Sequence, residues 1–116
     1  MAFDSYQQER IDRTLTDNNV EFYSKKMMGG LCYMSDGKML CGLLKDQLMA
    51  RIGLDAYEEA LKRDHVKEMS FTGRAMKGYV FVEGAGMDLD EDLEYWIMKC
   101  VAFNPLAKAS KKKKNK

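Results

Sequence analysis

The sequence predicts an α+β fold: a mainly antiparallel sheet of five to six strands, with helices at both ends and one between, in the order α-β-β-β-β-α-β-β-α. Three observations carry this expectation. Strand-like patterning fills Val20 to Ile52 without a helical stretch, and two more strand-like runs follow Val66. Asp36-Gly37 is a strong hairpin signal inside that region, because both central residues of the favoured tight turn need a positive φ. Helical spacing, by contrast, occurs at the start, the middle and the end of the chain. Strands grouped in this way, rather than alternating one by one with helices, point to helices packed on one face of an antiparallel sheet.

Asp4 is placed to cap a first helix that runs to about Asn18, with Ile11 and Leu15 on one face. That apolar stripe is thin, which suits a helix covering an edge or meeting a partner. Asn18-Asn19 ends it. Val20, Phe22 and Tyr23 open a strand that reaches Met28, where Gly29-Gly30 breaks it. Leu31 to Ser35 and Lys38 to Leu44 form the two arms of the Asp36-Gly37 hairpin, and Lys45-Asp46 turns the chain again. In Gln47 to Ile52, Leu48, Ala50 and Ile52 face one way while Met49 and Arg51 face the other.

A short helix is expected over Leu54 to Arg63, capped by Asp55 with Glu58 three positions on, and with Tyr57, Ala60 and Leu61 as its apolar stripe. Strands over about Val66 to Thr72 and Lys77 to Val82 join around Gly73. The final helix has Asp88 as its expected cap and Glu91 at the third helical position, with further acids where the dipole favours them. Leu89, Leu93, Trp96, Ile97, Cys100 and Val101 recur at helical spacing until Asn104-Pro105 stops the helix.

A length of 116 residues bounds the chain to one domain. The expected division is a folded body over residues 1–106 and a disordered lysine-rich tail over residues 107–116. The tail holds six lysines and no acid, so the formal charge of +1 minus six leaves −5 on the body. Any attraction to an acidic partner through net charge therefore belongs to the tail. Ten methionines are unusual; they read as adaptable core filler, with a methionine-rich binding surface as the alternative. No run approaches the roughly 20 apolar residues of a membrane helix, and MAFDSYQQER lacks the features of a signal peptide. Three cysteines, an odd number, suit a reducing compartment, so the cytoplasm is expected.

Several blocks together resemble a known family. They include Lys26-Met27-Met28-Gly29-Gly30-Leu31, Asp36-Gly37-Lys38-Met39 and Leu48-Met49-Ala50-Arg51-Ile52-Gly53. Tyr57-Glu58-Glu59-Ala60-Leu61, Met69-Ser70-Phe71-Thr72-Gly73-Arg74 and Met76-Lys77-Gly78-Tyr79-Val80-Phe81-Val82 follow, and then the acidic helix start with Trp96. In this order and spacing they are similar to the N-terminal domain of the TfoX/Sxy family of bacterial competence regulators, over roughly residues 10 to 103. The family usually has Phe where Met28 stands. The resemblance implies the same helix and strand order and a regulatory or interaction role in a stand-alone short form.

Candidate functional residues follow from the expected topology. With a two-residue hairpin loop, Cys32 would face Cys41, with α-carbons about 4.5 Å apart, and Met34 would face Met39. That set is open to three readings: a small apolar patch, a redox pair closing a disulfide under oxidation, or a soft Cu(I) site. Lys26, Arg51, Arg74 and Lys77 lie on or beside strands and form a possible interaction surface, against the plainer reading of solvated charges. Lys111, Lys112, Lys113 and Lys114 could bind nucleic acid weakly and without sequence preference; no aromatic residue or arginine accompanies them for base stacking.

His65 is the sole histidine and suits a helix end; Gly29-Gly30 lacks phosphate-loop spacing; the acids at 88–94 lack the rhythm of a calcium loop. No cofactor and no catalytic residue is expected, because no nucleophile, acid–base pair or metal cluster can be assembled from the pattern. The favoured function is a non-enzymatic regulatory or protein-interaction module with an unknown protein partner or a homodimer, and no membrane. The alternative is a nucleic-acid accessory protein acting through its tail.

Overall fold

The structure, a computed structural model, describes residues 4–27, 29–71 and 74–107. Helix α1 (Ser5–Asp17) begins where the Asp4 carboxylate accepts the Tyr6 N–H at 2.9 Å, the expected cap. It closes at Asn18, whose N–H reaches the Thr14 carbonyl, and Asn19 turns the chain at φ 60°. Four strands follow: β1 (Tyr23–Met27), β2 (Gly30–Ser35), β3 (Lys38–Leu44) and β4 (Gln47–Arg51). Then come α2 (Leu54–Leu61), β5 (Val66–Phe71), β6 (Arg74–Val82), a 3-10 turn over Gly84–Met87 and α3 (Asp90–Phe103). The six strands form one antiparallel sheet in the order β1-β2-β3-β4-β6-β5. The α+β class and the element order are those the sequence predicts.

The Asp36-Gly37 turn has φ 57° and 75°, the paired left-handed conformation that a two-residue hairpin requires. All three helices lie against one face of the sheet. Tyr33 of β2 is fully buried beneath α1, and its hydroxyl donates to Asp12 at 2.8 Å. α3 crosses β3 and β4, and α2 covers β6 and β5. Leu43, Leu48, Val80 and Val82 from the strands meet Ile11, Leu93 and Ile97 from the helices to form the core.

Both later helices start differently from expectation. Helix α2 is capped by Gly53 at φ 88°, with no side-chain cap, and Asp55 lies inside the first turn. The Gly78 carbonyl explains the shift: it accepts both Ile52 N–H (2.9 Å) and Gly53 N–H (3.1 Å), which lifts the chain off the sheet at Gly53. A Cβ at Gly53 would stand 2.5 Å from the Phe103 ring, so a side chain there is excluded on both counts. In α3 the cap position falls to Leu89, which is 60% exposed and outside the apolar stripe. Met87 is fully buried instead, and its burial displaces the helix start beyond Asp88.

Arg10 holds that start in place. Its guanidinium is buried and donates to Gln7 Oε1 (2.9 Å), to the Met87 carbonyl (2.8 Å) and to the Asp88 carbonyl (3.2 Å). It also meets the Asp90 carboxylate at 3.2 Å. One side chain on α1 thereby satisfies backbone carbonyls just before α3, which would otherwise be costly to bury. Replacing Arg10 by Met keeps the hydrophobic stem and removes the donors. Urea denaturation of Arg10→Met should show a loss of about 1.5–3 kcal/mol, the range for hydrogen bonds to a charged group. A loss below about 0.5 kcal/mol would show that the clamp contributes nothing.

Candidate functional site on the open sheet face

The strand alternation that sends Tyr33, Leu43, Leu48 and Val82 towards the helices sends their neighbours to the opposite side, which no described element covers. Cross-strand pairing there aligns one row: Lys25 with Cys32, Cys32 with Gly42, Gly42 with Met49, Met49 with Phe81, and Phe81 with Lys67. Met34 pairs with Met39 and Arg51 with Tyr79 on the same face. Within this surface lies an open apolar groove of about 500 Å³. Met27, Cys32, Met39, Met49, Met76 and Phe81 are among its walls.

Two backbone features shape it. Gly42 sits mid-strand at the groove floor, where a Cβ would come within 3.0 Å of the Met49 methyl and 3.3 Å of the Leu31 carbonyl. An interior-strand glycine marks a place where something else approaches the backbone closely. Gly78, at φ 94°, interrupts β6 where its pairing with β5 shifts register. The interruption brings Met76 into the groove on the same side as Tyr79 and Phe81.

The methionines define the surface. Met1 and Met28 lie outside the described residues; of the other eight, Met87 alone is buried. The core-filler reading is therefore corrected, since Met27, Met34, Met39, Met49, Met69 and Met76 gather on the uncovered face.

The family model for the TfoX N-terminal domain matches residues 16–104 of the 116-residue chain. The chain belongs to the TfoX N-terminal domain family. No significant match is found among the curated proteins or among the solved structures.

In this member of the TfoX N-terminal domain family the proposed Cys32–Cys41 pair is not assembled. Pairing holds as expected at Ser35–Lys38 and Met34–Met39, and then slips: Tyr33 faces Cys41 and Cys32 faces Gly42. Leu40 is the extra residue of this bulge, and Leu40 and Cys41 are both fully buried. A bulge lets two successive side chains enter one core, which is what these two gain. Cys32 consequently lies on the open face and Cys41 under the helices. The soft set divides with them. Cys32 Sγ approaches Met34 Sδ at 3.7 Å, while Cys41 stays with the core.

Burial pushes each thiol above its ordinary pKa. At Cys32 the nearby Lys25 ammonium offsets part of the rise; at Cys100 burial carries it to about 12. Cys41 is raised well above the usual value, first by burial and then by the neighbouring thiols of Cys100 and Cys32.

The predicted cationic surface is distributed over both faces. Arg51 leaves the open face at the end of β4, donates to the Met39 carbonyl at 3.4 Å and stacks 5.5 Å from the Tyr79 ring. Lys26 pairs with Leu31 and so belongs to the helix side of β1. Lys77, next to groove-lining Met76, is exposed and alternates away from the groove. The Arg74 side chain and Lys111, Lys112, Lys113 and Lys114 lie outside the described residues.

Lys25 and Lys67 are the cations that the sequence reading missed, and strand parity with Cys32 and Phe81 is the signal that identifies them. His65 is exposed at φ 66°, with Nδ1 4.0 Å from Glu83. Among the described residues no three His, Cys, Asp or Glu side chains are grouped to hold a metal ion. No described helix is long and apolar enough to cross a membrane.

The split of the cysteines has a chemical consequence. Iodoacetamide at pH 8 should label Cys32 before Cys41 and Cys100, which should react only on unfolding, as read by peptide mass spectrometry. Mild oxidation should leave no Cys32–Cys41 disulfide; finding one would show that the bulge rearranges. Alkaline pH acts on the same groups. A thiol raised from 9.0 to about 12 keeps its stabilising effect below pH 9 and loses it progressively up to 12.

Proposed function

We propose that this chain is a non-enzymatic regulatory module that works by docking a protein partner on its open sheet face. The observation that carries the reading is the groove itself: an apolar, methionine-lined surface on a sheet whose described helices all lie on the other side. Sheets bury apolar faces against a second layer, and contiguous exposed apolar surface marks an interaction site. Membership in the TfoX N-terminal domain family supports a regulatory role, and the likeness to competence regulators suggests control of DNA uptake or transcription as its setting.

The chemistry of the groove also favours docking over catalysis. Its walls are thioethers, aliphatic groups and aromatic rings. Burial disfavours the thiolate of Cys32, the one thiol among its described walls. Proximity of an acid and a base, which general catalysis needs, has no counterpart among them.

Met49 is half-buried at the centre of this surface, so Met49→Glu places a charge in the groove without touching the helix-covered core. Affinity capture with the wild-type chain should retain a partner that the variant loses by tenfold or more, with the circular dichroism spectrum unchanged. Equal capture by both, or no capture by either, would remove the docking reading.

A second reading rests on the run Lys111 to Lys114 within a tail of six lysines. Each lysine near a phosphate releases about one counterion, so binding would be weak, sequence-blind and steeply salt-dependent. In a DNA mobility-shift assay at low salt, the full chain should bind and a chain truncated after Ala107 should not. Equal shifts by both would eliminate this role for the tail.

A further inference from the structure

We infer that the occupant of the open face is an amphipathic helix whose apolar stripe is flanked on both sides by carboxylates. This rests on the docking reading above and names the chemistry of the partner. The shape of the face selects a helix. Every strand N–H and C=O of a sheet is directed in the plane of the sheet, towards neighbouring strands or the two edges. A segment lying on the face finds no backbone partners there, so it must satisfy its own, and a helix does this internally. An extended peptide would instead add to an edge, β1 or β5. Flexible thioethers suit the same occupant, since methionines repack around whatever ridges a helical stripe presents.

The charge of the face selects the flanks. Lys25 and Lys67 close the two ends of the central cross-strand row, on β1 and β5, which are the outer strands of the sheet. They stand two and a half strand spacings, about 12 Å, to either side of the β3–β4 midline. A helix of about 10–12 Å diameter seated over Gly42 and Met49 therefore has a lysine beyond each flank. No described strand residue of this face carries a carboxylate; Glu83, just after β6, meets Lys67 at 3.4 Å.

The same charges weigh against the other occupants. In a two-fold, face-to-face pair a second copy would bring lysines against lysines across a water-poor interface. The chain's own tail, with six lysines and no acid, carries the sign that the face repels.

The test uses the full chain and two fluorescein-labelled helical peptides of 18 residues, each with a leucine stripe, one flanked by glutamates and its twin by lysines. Fluorescence anisotropy should give the glutamate peptide at least a tenfold tighter Kd at low salt. The Lys25→Glu, Lys67→Glu double variant, altered only at exposed side chains, should weaken it about fivefold or more and should improve binding of the twin. Methyl NMR of the full chain should show shifts at Met39, Met49 and Met76 with the glutamate peptide.

Equal affinity for both peptides, with those methyls shifting, would retain the docking groove and overturn the acidic partner. Binding of the glutamate peptide that is indifferent to the double variant and leaves the groove methyls still would assign it to the tail and overturn the inference. Groove methyls that shift with protein concentration and no peptide would make a second copy the occupant, which also overturns it. Silence at the groove with either peptide would count against both the inference and the docking reading.

Discussion

A single layer of helices can cover one face of a six-stranded sheet, and here α1, α2 and α3 are all spent on the same one. Most other features of the molecule follow from that asymmetry. With a side-chain period of two, each strand has to supply apolar residues to the covered side, and whatever alternates with them is committed to the other. Along β4 this produces Leu48 and Ala50 at zero exposure beside half-buried Met49 and Arg51. The open face is thus dictated in register by the core, although the core places no demand on which residues fill it. That they are largely methionine, cysteine and aromatic is a separate fact that folding alone does not require.

The helix layer is itself held by a few long-range polar ties. Arg10 anchors α1 to the backbone ahead of α3, and Tyr33 anchors it to β2 through Asp12. Asn104, buried at the far end of α3, donates to the Ser35 carbonyl beside the hairpin at 3.3 Å. These bonds join elements far apart in the chain and orient a helix layer whose apolar stripe on α1 amounts to little beyond Ile11 and Leu15. None of them reaches the open face. An occupant of the groove, as proposed above, would therefore meet none of the clamps that keep the helices seated.

How much of this was legible in the chain depends on the range of the forces involved. Element order, the Asp36-Gly37 turn, the Asp4 cap and the polarity of β4 are local properties of a few residues, and the sequence displays them directly. The bulge at Leu40 is not local. It exists because Leu40 and Cys41 can both be buried under α3 and its neighbours, and that gain is visible only when the helix layer is in place. A slip of one residue was enough to separate Cys32 from Cys41. Arg10 was hidden for a related reason: its acceptors, at Met87 and Asp88, lie 77 and 78 residues away. The methionine face was within reach. Met49 alternates with two core residues, and that parity already placed it off the core side; composition alone concealed what alternation showed.

The makeup of the open face reconciles two opposing needs. A broad apolar sheet surface invites face-to-face stacking and edge pairing with other chains. Lysines on the outer strands counter both, because Lys25 and Lys67 would confront their own kind in any symmetric stack of this face. The charges that keep like molecules apart leave the apolar centre free, and they favour whatever carries the opposite sign. Methionine completes the compromise: half-buried Met39, Met49 and Met76 expose less rigid, more polarisable surface than leucine would, and can still close around an apolar ridge. On the docking proposed above, selectivity would come from the charged rim and affinity from the adaptable floor between.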